Sequence, residues 1–172
     1  GEHDIKIVNI DEAGSIDYIV YGYMNRGIHE GTVGIAVYHY DSLANTNEEQ
    51  VFIPSSQSYE VMKSELGQLM YVTESGAFYI MVDGNVYGID LNSLDTKVLV
   101  EGLSDEAVAI SESNRFLAWV DPSAIRGSGT IHIIDFVTEK VTDVTESTSD
   151  YVKPLGFMQE DFVYGVAKSA DV

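Results

Sequence analysis

Apolar residues are gathered in short runs of five to seven residues, and turn-forming residues separate one run from the next. Aromatic and β-branched residues predominate in these runs, which is typical of half-buried strands rather than helices. Four runs resemble one another because each opens on an aromatic residue: 18–24 (YIVYGYM), 78–82 (FYIMV), 116–120 (FLAWV) and 162–166 (FVYGV). We interpret them as the second strand of a repeating unit.

A second repeated pattern is a run that ends in aspartate. It occurs at residues 37–41 (VYHYD), 86–90 (VYGID) and 131–135 (IHIID), always with a ring three positions before the Asp. Asp41, Asp90 and Asp135 lie 49 and 45 positions apart. A period of about 40 to 50 residues with several short strands in each period indicates a stack of four-stranded sheets. We interpret these runs as the third strand of each unit.

The remaining runs fill the other two places in the unit. A first strand is predicted at 5–10, 69–73, 108–110 and 155–158, and a fourth strand at 51–53, 97–100 and 140–144. The chain is therefore predicted to form a single domain, 1–172, whose units cover roughly 5–54, 69–101, 107–145 and 152–172, the last one incomplete.

Turn chemistry favours this register. Asp83-Gly84 separates two strand-like runs, and that dipeptide is typical of a two-residue type I′ hairpin. In a competing register, residues 69–73 would be the second strand of their unit. In the preferred register, residues 55–67 are an insertion between units, in which Ser58 begins a short helix and Gly67 ends it.

The repeat resembles the β-propeller blades of the WD40-like and TolB-like families over nearly the whole chain. It departs from the first family's pattern, because no Trp-Asp ends a third strand and no Gly-His opens a unit. The resemblance implies an all-β, propeller-like array of about three and a half four-stranded antiparallel blades, a segment of a larger propeller. The half blade is explained by a larger ring, by N-terminal strands that complete it, or by two chains that share a ring.

Charge excludes several classes of partner. The chain has 28 acidic and 9 basic residues, a net charge of −19, and no two adjacent Lys or Arg residues. DNA, RNA and anionic membrane surfaces need a basic patch, so we expect none of them as partners. The chain has no cysteine, which excludes disulfides, zinc–thiolate sites and thiol nucleophiles. No apolar run approaches the ~20 residues of a membrane span.

The repeated Asp residues admit two interpretations. Each side chain can accept backbone amides of the turn that follows it, as in an Asx-turn, or the set can form a ligand rim. Repetition in every unit favours the turn role. The oxygen-rich residues Asp83, Asn85, Asp90, Asn92 and Asp95 raise the possibility of calcium, but two turns of one blade explain them more simply. No cofactor or metal is predicted.

The best candidates for recognition lie in two surface loops, 25–31 and 122–129. They are Arg26, His29 and Glu30 in the first loop and Arg126 in the second. The four histidines, His3, His29, His39 and His132, have no zincin spacing. Most repeated aromatic residues, including Trp119, are expected in the core, and a few of them could bind sugar or peptide.

No catalytic motif is present: there is no Gly-x-Ser-x-Gly elbow and no phosphate-binding loop. We therefore predict a non-catalytic binding module of a larger bacterial protein, with a protein or carbohydrate partner. The alternative is a propeller domain associated with a peptidase or glycoside-active hydrolase whose catalytic residues lie outside this chain. A homodimer through an exposed blade edge is a third hypothesis. The acidic, cysteine-free composition and the apparent removal of an N-terminal segment before Gly1 favour an extracytoplasmic location over a cytoplasmic one.

Overall fold

The computed structural model describes residues 3–121, 129–146 and 151–167, the side chain of Tyr151 excepted. These residues form fourteen strands, one α-helix and one 3₁₀ turn. In chain order they are β1 His3–Ile10, β2 Ile16–Tyr23, β3 Val33–Asp41, β4 Thr46–Ser55, α1 Tyr59–Gln68, β5 Met70–Val72, β6 Ala77–Val82, β7 Asn85–Asp90, β8 Thr96–Val100, the 3₁₀ turn Asp105–Ala107, β9 Val108–Ile110, β10 Phe116–Val120, β11 Thr130–Asp135, β12 Lys140–Thr145, β13 Tyr151–Met158 and β14 Asp161–Ala167.

The strands form three four-stranded sheets and one two-stranded hairpin. Each of the larger sheets follows chain order, β1-β2-β3-β4, β5-β6-β7-β8 and β9-β10-β11-β12, and β13 pairs with β14. Every inter-strand pairing for which a residue register is defined is antiparallel. The predicted all-β array of four-stranded antiparallel blades is confirmed. We call the first three sheets the first, second and third blades.

The preferred register is also confirmed. Met70, Tyr71 and Val72 pair with Ile80, Tyr79 and Phe78, so β5 is the first strand of the second blade. The competing register, in which residues 69–73 were the second strand, is wrong. Asp83 and Gly84 both have positive φ, 54° and 73°, as the predicted type I′ turn between β6 and β7 requires.

The chain divides into two compact units, Gly1–Leu99 and Val100–Val172. The first unit contains the first two blades and α1. One face of the first blade packs against α1 and the second blade, and this core is fully apolar. Its buried residues are Ile19, Ile35, Val37, Ile53, Met62, Leu66, Phe78, Ile80, Val82 and Ile89.

Helix α1 is the predicted insertion between the first two blades. Ser58 begins it, and the Ser58 side chain accepts a hydrogen bond from the Val61 amide at 3.4 Å. Met62 and Leu66, four residues apart, form its buried side. The helix continues through Gly67 to Gln68, one residue beyond the predicted end, because a helical glycine costs only about 1 kcal/mol.

The second unit contains the third blade and the β13–β14 hairpin. Its core is built on Ala109, Ala118, Ile131 and Val152, with aromatic side chains of the hairpin packed against it: Phe157, Phe162 and Tyr164. Trp119 was expected in the core, but it is only half-buried and lies tilted on His132, with ring centroids 5.3 Å apart.

Candidate binding site

The repeated aspartates form the predicted turns. In the first blade Asp41 Oδ1 accepts the amides of Leu43 and Ala44 at 2.9 and 3.0 Å. In the second blade Asp90 Oδ1 accepts those of Asn92 and Ser93 at 2.8 and 3.1 Å. These backbone hydrogen bonds hold the pKa of both carboxyl groups below the ordinary value. The two carboxylates are therefore occupied by their own turns.

The third turn repeats this arrangement and adds a side chain. Asp135 Oδ1 accepts the Val137 amide at 3.0 Å, and both oxygens accept hydrogen bonds from Arg115. Arg115 is the largest cause of a lowered pKa at Asp135, ahead of the backbone hydrogen bonds. The Asx-turn interpretation is confirmed in all three blades.

The oxygen-rich stretch of the second blade is divided between separate turns. Asp83 lies in the β6–β7 turn, and its carboxylate accepts hydrogen bonds from Ser56 N at 2.7 Å and from the Ser55 hydroxyl. Asp90 lies at the far end of β7, in the turn just described. In the part of the chain that the structure describes, no group of three or more His, Asp or Glu side chains is placed to hold a metal ion.

The side of the first blade that faces away from its core carries stacked rings. Because side chains alternate along a strand, Tyr18, Val20, Tyr38 and Phe52 lie opposite the buried Ile19, Ile35 and Ile53. Tyr18 and Tyr38 are cross-strand neighbours whose ring centroids are 5.3 Å apart at 11°. We call this surface the aromatic face.

His29 fixes the β2–β3 loop (residues 24–32) to the aromatic face. Its ring stacks on Phe52 with centroids 3.6 Å apart, and its Nε2 lies 2.9 Å from Glu49 Oε2. Phe52 in turn lies over Gly34, where an added Cβ would be 2.6 Å from the ring. His29, a sequence candidate for recognition, is thus engaged in a structural contact.

Backbone hydrogen bonds hold the same loop in one conformation. Met24 N donates to Thr32 O at 2.9 Å and Gly31 N to Met24 O at 2.8 Å, which closes the base of the loop. Gly27 and Gly31 both have φ of 85°, a conformation that side chains rarely adopt. The loop therefore presents its remaining side chains from a defined backbone.

A cavity of about 280 Å³ lies where this loop meets the aromatic face. Val20 and Tyr38 contribute from the sheet, and His3 contributes from the edge strand β1. Its lining residues are His3, Val20, Tyr23, Met24, Asn25, Arg26 and Tyr38. Of the sequence candidates, the structure places Arg26 in this lining; Glu30 is exposed outside it, and Arg126 lies outside the described residues.

The polar groups of the cavity are available for a ligand. Arg26 is exposed and makes no hydrogen bond or ion pair with any described residue. Burial, with help from Glu49 and Tyr18, raises the pKa of Tyr38, so its hydroxyl stays protonated and can donate a hydrogen bond. The cavity combines a free guanidinium, a phenol and an apolar wall.

A second cavity, of about 290 Å³, lies in the second unit. It is lined by Ser104, Glu106, Ala107, Val120, Val152, Lys153 and Pro154. Both an acid and a base line it, so its charge selects for no one class of ligand.

No protein-family model matches the sequence, and no curated protein matches it. Three solved structures resemble the chain: the tricorn protease, Porphyromonas gingivalis dipeptidyl peptidase 4 and an oligogalacturonate lyase from Vibrio parahaemolyticus. Identities are 20%, 10% and 9%, and the matches cover 85%, 88% and 96% of this chain at TM-scores of 0.38, 0.40 and 0.36. The chain spans 14%, 28% and 53% of those proteins.

The described residues contain no helix with the length and apolar character that crossing a membrane requires.

Of the residues that line the cavity beside Arg26, sequence reasoning singled out only Arg26. It missed the others: His3, Val20, Tyr23, Met24, Asn25 and Tyr38. Alternation in β2 and β3 places Val20 and Tyr38 on one face, but no local signal shows which face the loop covers.

Proposed function

We propose that this chain is a non-catalytic binding module that holds a peptide or protein partner on the aromatic face of its first blade. One observation supports this most strongly: the cavity that contains the unpaired Arg26 adjoins an exposed apolar strip on β1. Ile5 is the cross-strand partner of Val20, which lines the cavity.

The strip consists of three isoleucines on one side of β1. Ile5 and Ile7 alternate along the strand, and the β-bulge between Ile7 and Asn9 brings Ile10 to the same side. Ile5, Ile7 and Ile10 are 66%, 55% and 60% exposed. Contiguous exposed apolar side chains mark interaction surfaces, because leaving them in water costs about 25 cal/mol per Å². A partner that covers the strip removes that cost.

β1 is also an edge strand. In the described sheet it pairs with β2 on one side, and no described strand pairs with its other side. An extended peptide can add to such an edge through main-chain hydrogen bonds, while its side chains contact the neighbouring face. This favours a peptide over a carbohydrate, because isoleucine offers sugar hydroxyls no hydrogen bond.

Selection from a peptide library tests the proposal. Peptides are selected on the purified native chain. Their affinity for that chain is then compared with their affinity for a double variant, Ile5→Asp with Ile7→Asp. The control double variant, Leu43→Asp with Val98→Asp, adds the same charge at exposed apolar residues away from the strip. We expect at least a tenfold loss of affinity in the first variant and less than a twofold change in the second.

Equal loss in both variants, or no selected peptide, contradicts the proposal. A glycan array probed in parallel decides between partner classes: glycan binding that is lost in the strip variant would replace the peptide. The alternative of a hydrolase-associated propeller and the hypothesis of a homodimer stay predictions. The first is tested by peptidase and glycosidase assays of a longer protein that contains this chain, the second by solution mass.

A further inference from the structure

We infer that the cavity beside Arg26 takes the C-terminal residue of an extended peptide, with its carboxylate on the Arg26 guanidinium and its apolar side chain against Val20, Met24 and Tyr38. This inference rests on the proposed function and names the part of the partner that the site recognises.

Charge supports a carboxylate. The chain has only 9 basic residues against 28 acids, yet Arg26 lines the cavity without an acidic partner among the described residues. A guanidinium presents a planar set of donors that matches a carboxylate with two parallel hydrogen bonds. An anionic group is therefore the complement that this position selects.

Neighbouring groups suit the rest of a terminal residue. Asn25 and the hydroxyls of Tyr23 and Tyr38 make no hydrogen bond with any described residue. They can bind the second carboxylate oxygen and the last peptide group. Val20 and Met24 are half-buried and apolar, so they suit an aliphatic or aromatic side chain rather than a charged one.

The size of the cavity limits what enters it. Its volume is about 280 Å³, which is below the usual range of about 300 to 1,000 Å³ for sites that enclose drug-sized ligands. One amino-acid residue fits, and the remaining residues of a peptide must lie outside.

The isoleucine strip on β1 can bind the peptide residues that precede the C-terminal one. Residues in a strand advance about 3.3 Å, so alternate side chains of an added strand repeat about every 6.6 Å, matching the spacing of Ile5 and Ile7. The cavity lies at the His3 end of β1. A peptide that follows β1 can therefore place its last residue in the cavity and earlier apolar residues on the strip.

The experiment compares free and blocked C-termini. An array of hexapeptides ending in Leu, Phe or Val carries each sequence both as the free acid and as the carboxamide. The tightest free-acid peptides are then measured by fluorescence anisotropy against the native chain, Arg26→Gln and Lys6→Gln. Lys6 is an exposed cation on the opposite face of β1, so its variant removes the same charge elsewhere on the blade.

We expect the free acid to bind about tenfold or more tightly than the amide, as loss of a charge-assisted hydrogen bond implies. That ratio should fall below twofold in Arg26→Gln and persist in Lys6→Gln. Equal affinity for the free acid and the carboxamide overturns the inference. In that case the proposed function still stands if the Ile5→Asp, Ile7→Asp double variant loses affinity for both forms of the peptide.

A small carboxylic acid is the other source of the same chemistry. N-acetyl-leucine is therefore measured in the same assay. If it binds as tightly as the hexapeptides, the site recognises a free acid and the peptide part of the inference is wrong. If the hexapeptides bind at least tenfold more tightly, the contacts along β1 contribute as inferred.

Discussion

Arg115 donates two parallel hydrogen bonds to Asp135, from Nε to Oδ1 at 2.9 Å and from Nη2 to Oδ2 at 2.8 Å. Asp135 ends β11 and Arg115 precedes β10, so the pair joins two neighbouring strands at the turn of the third blade. The guanidinium also lies over the ring of Phe116, 5.0 Å from its centroid. In the first two blades the corresponding turn aspartate, Asp41 or Asp90, accepts hydrogen bonds from backbone amides. In the third blade Arg115 adds a side-chain interaction to that turn.

Removal of this side chain should destabilise the third blade. We expect Arg115→Ala to lower the free energy of unfolding by about 1 kcal/mol, because the pair is partly exposed and solvent screens it. Arg115→Lys keeps the charge but loses the two-pronged geometry, so its loss should be intermediate. Urea unfolding measures both, and equal stability of all three proteins would contradict the assignment.

The turn carboxylates predict a dependence of stability on pH. The folded-state pKa of Asp41, Asp90 and Asp135 lies below the ordinary value, so the unfolded chain takes up protons first as the pH falls. Their stabilisation is present above about pH 4, near the unfolded pKa of Asp, and is lost below it. Urea midpoints at pH 6, 4 and 3 measure this loss.

Asp135→Asn isolates one contribution to that dependence. Asparagine can still accept the turn amides but does not titrate, so the variant should be less stable at pH 6 and lose less stability between pH 6 and pH 3. An unchanged pH profile would show that Asp135 does not contribute.

The close approach of Phe52 to Gly34 predicts a steric effect. An added Cβ at Gly34 would lie 2.6 Å from Phe52 Cζ and 2.7 Å from the Ile53 carbonyl oxygen. Because the second atom belongs to the backbone, we expect Gly34→Ala to cost about 1 to 3 kcal/mol. Gly67→Ala is the control: nothing lies within 4 Å of its added Cβ, and a helical Gly-to-Ala change should stabilise by about 0.5 to 1 kcal/mol.

Leu94 occupies a backbone conformation that leucine disfavours. Its φ is 68°, and the corresponding residue of the first blade, four positions after the turn aspartate, is Asn45 with φ 53°. We expect Leu94→Asn to raise the free energy of unfolding by about 0.5 to 1 kcal/mol. The left-handed region costs an ordinary side chain such as leucine about 1 to 2 kcal/mol, whereas asparagine tolerates it. Leu43→Asn, at an 89% exposed position of the first-blade turn, should change it little.

The strands, α1 and the Asx-turns could be predicted from the sequence because interactions between nearby residues determine them. The signals were the aromatic and β-branched runs, the aromatic start of each second strand, the Asp83-Gly84 hairpin and the Ser58 cap. Each acts within a few residues, so the strands and α1 were predicted to within five positions of their bounds. The Asx-turns were predicted for the same reason, because Asp41, Asp90 and Asp135 bond to residues two or three positions away.

The candidate site depends on contacts that are distant in the sequence. His29 contacts Glu49 and Phe52, which lie 20 and 23 positions later in the sequence. A shift of register between Val37 and Tyr38 sets the pairing of Tyr38 with Glu49. The exposure of Ile5 and Ile7 was also unpredictable, since apolar residues in a strand are normally buried. Only the fold shows that their face of β1 is open to solvent.

The most direct test of the binding face is an NMR titration of the isoleucine methyl groups with a selected free-acid hexapeptide. We predict saturable shifts for Ile5 and Ile7, which lie on the strip, and none for Ile131 and Ile134, which are buried in the third blade. Shifts at Ile131 and Ile134 with none at Ile5 and Ile7 would contradict the assignment of the aromatic face and its strip as the binding surface.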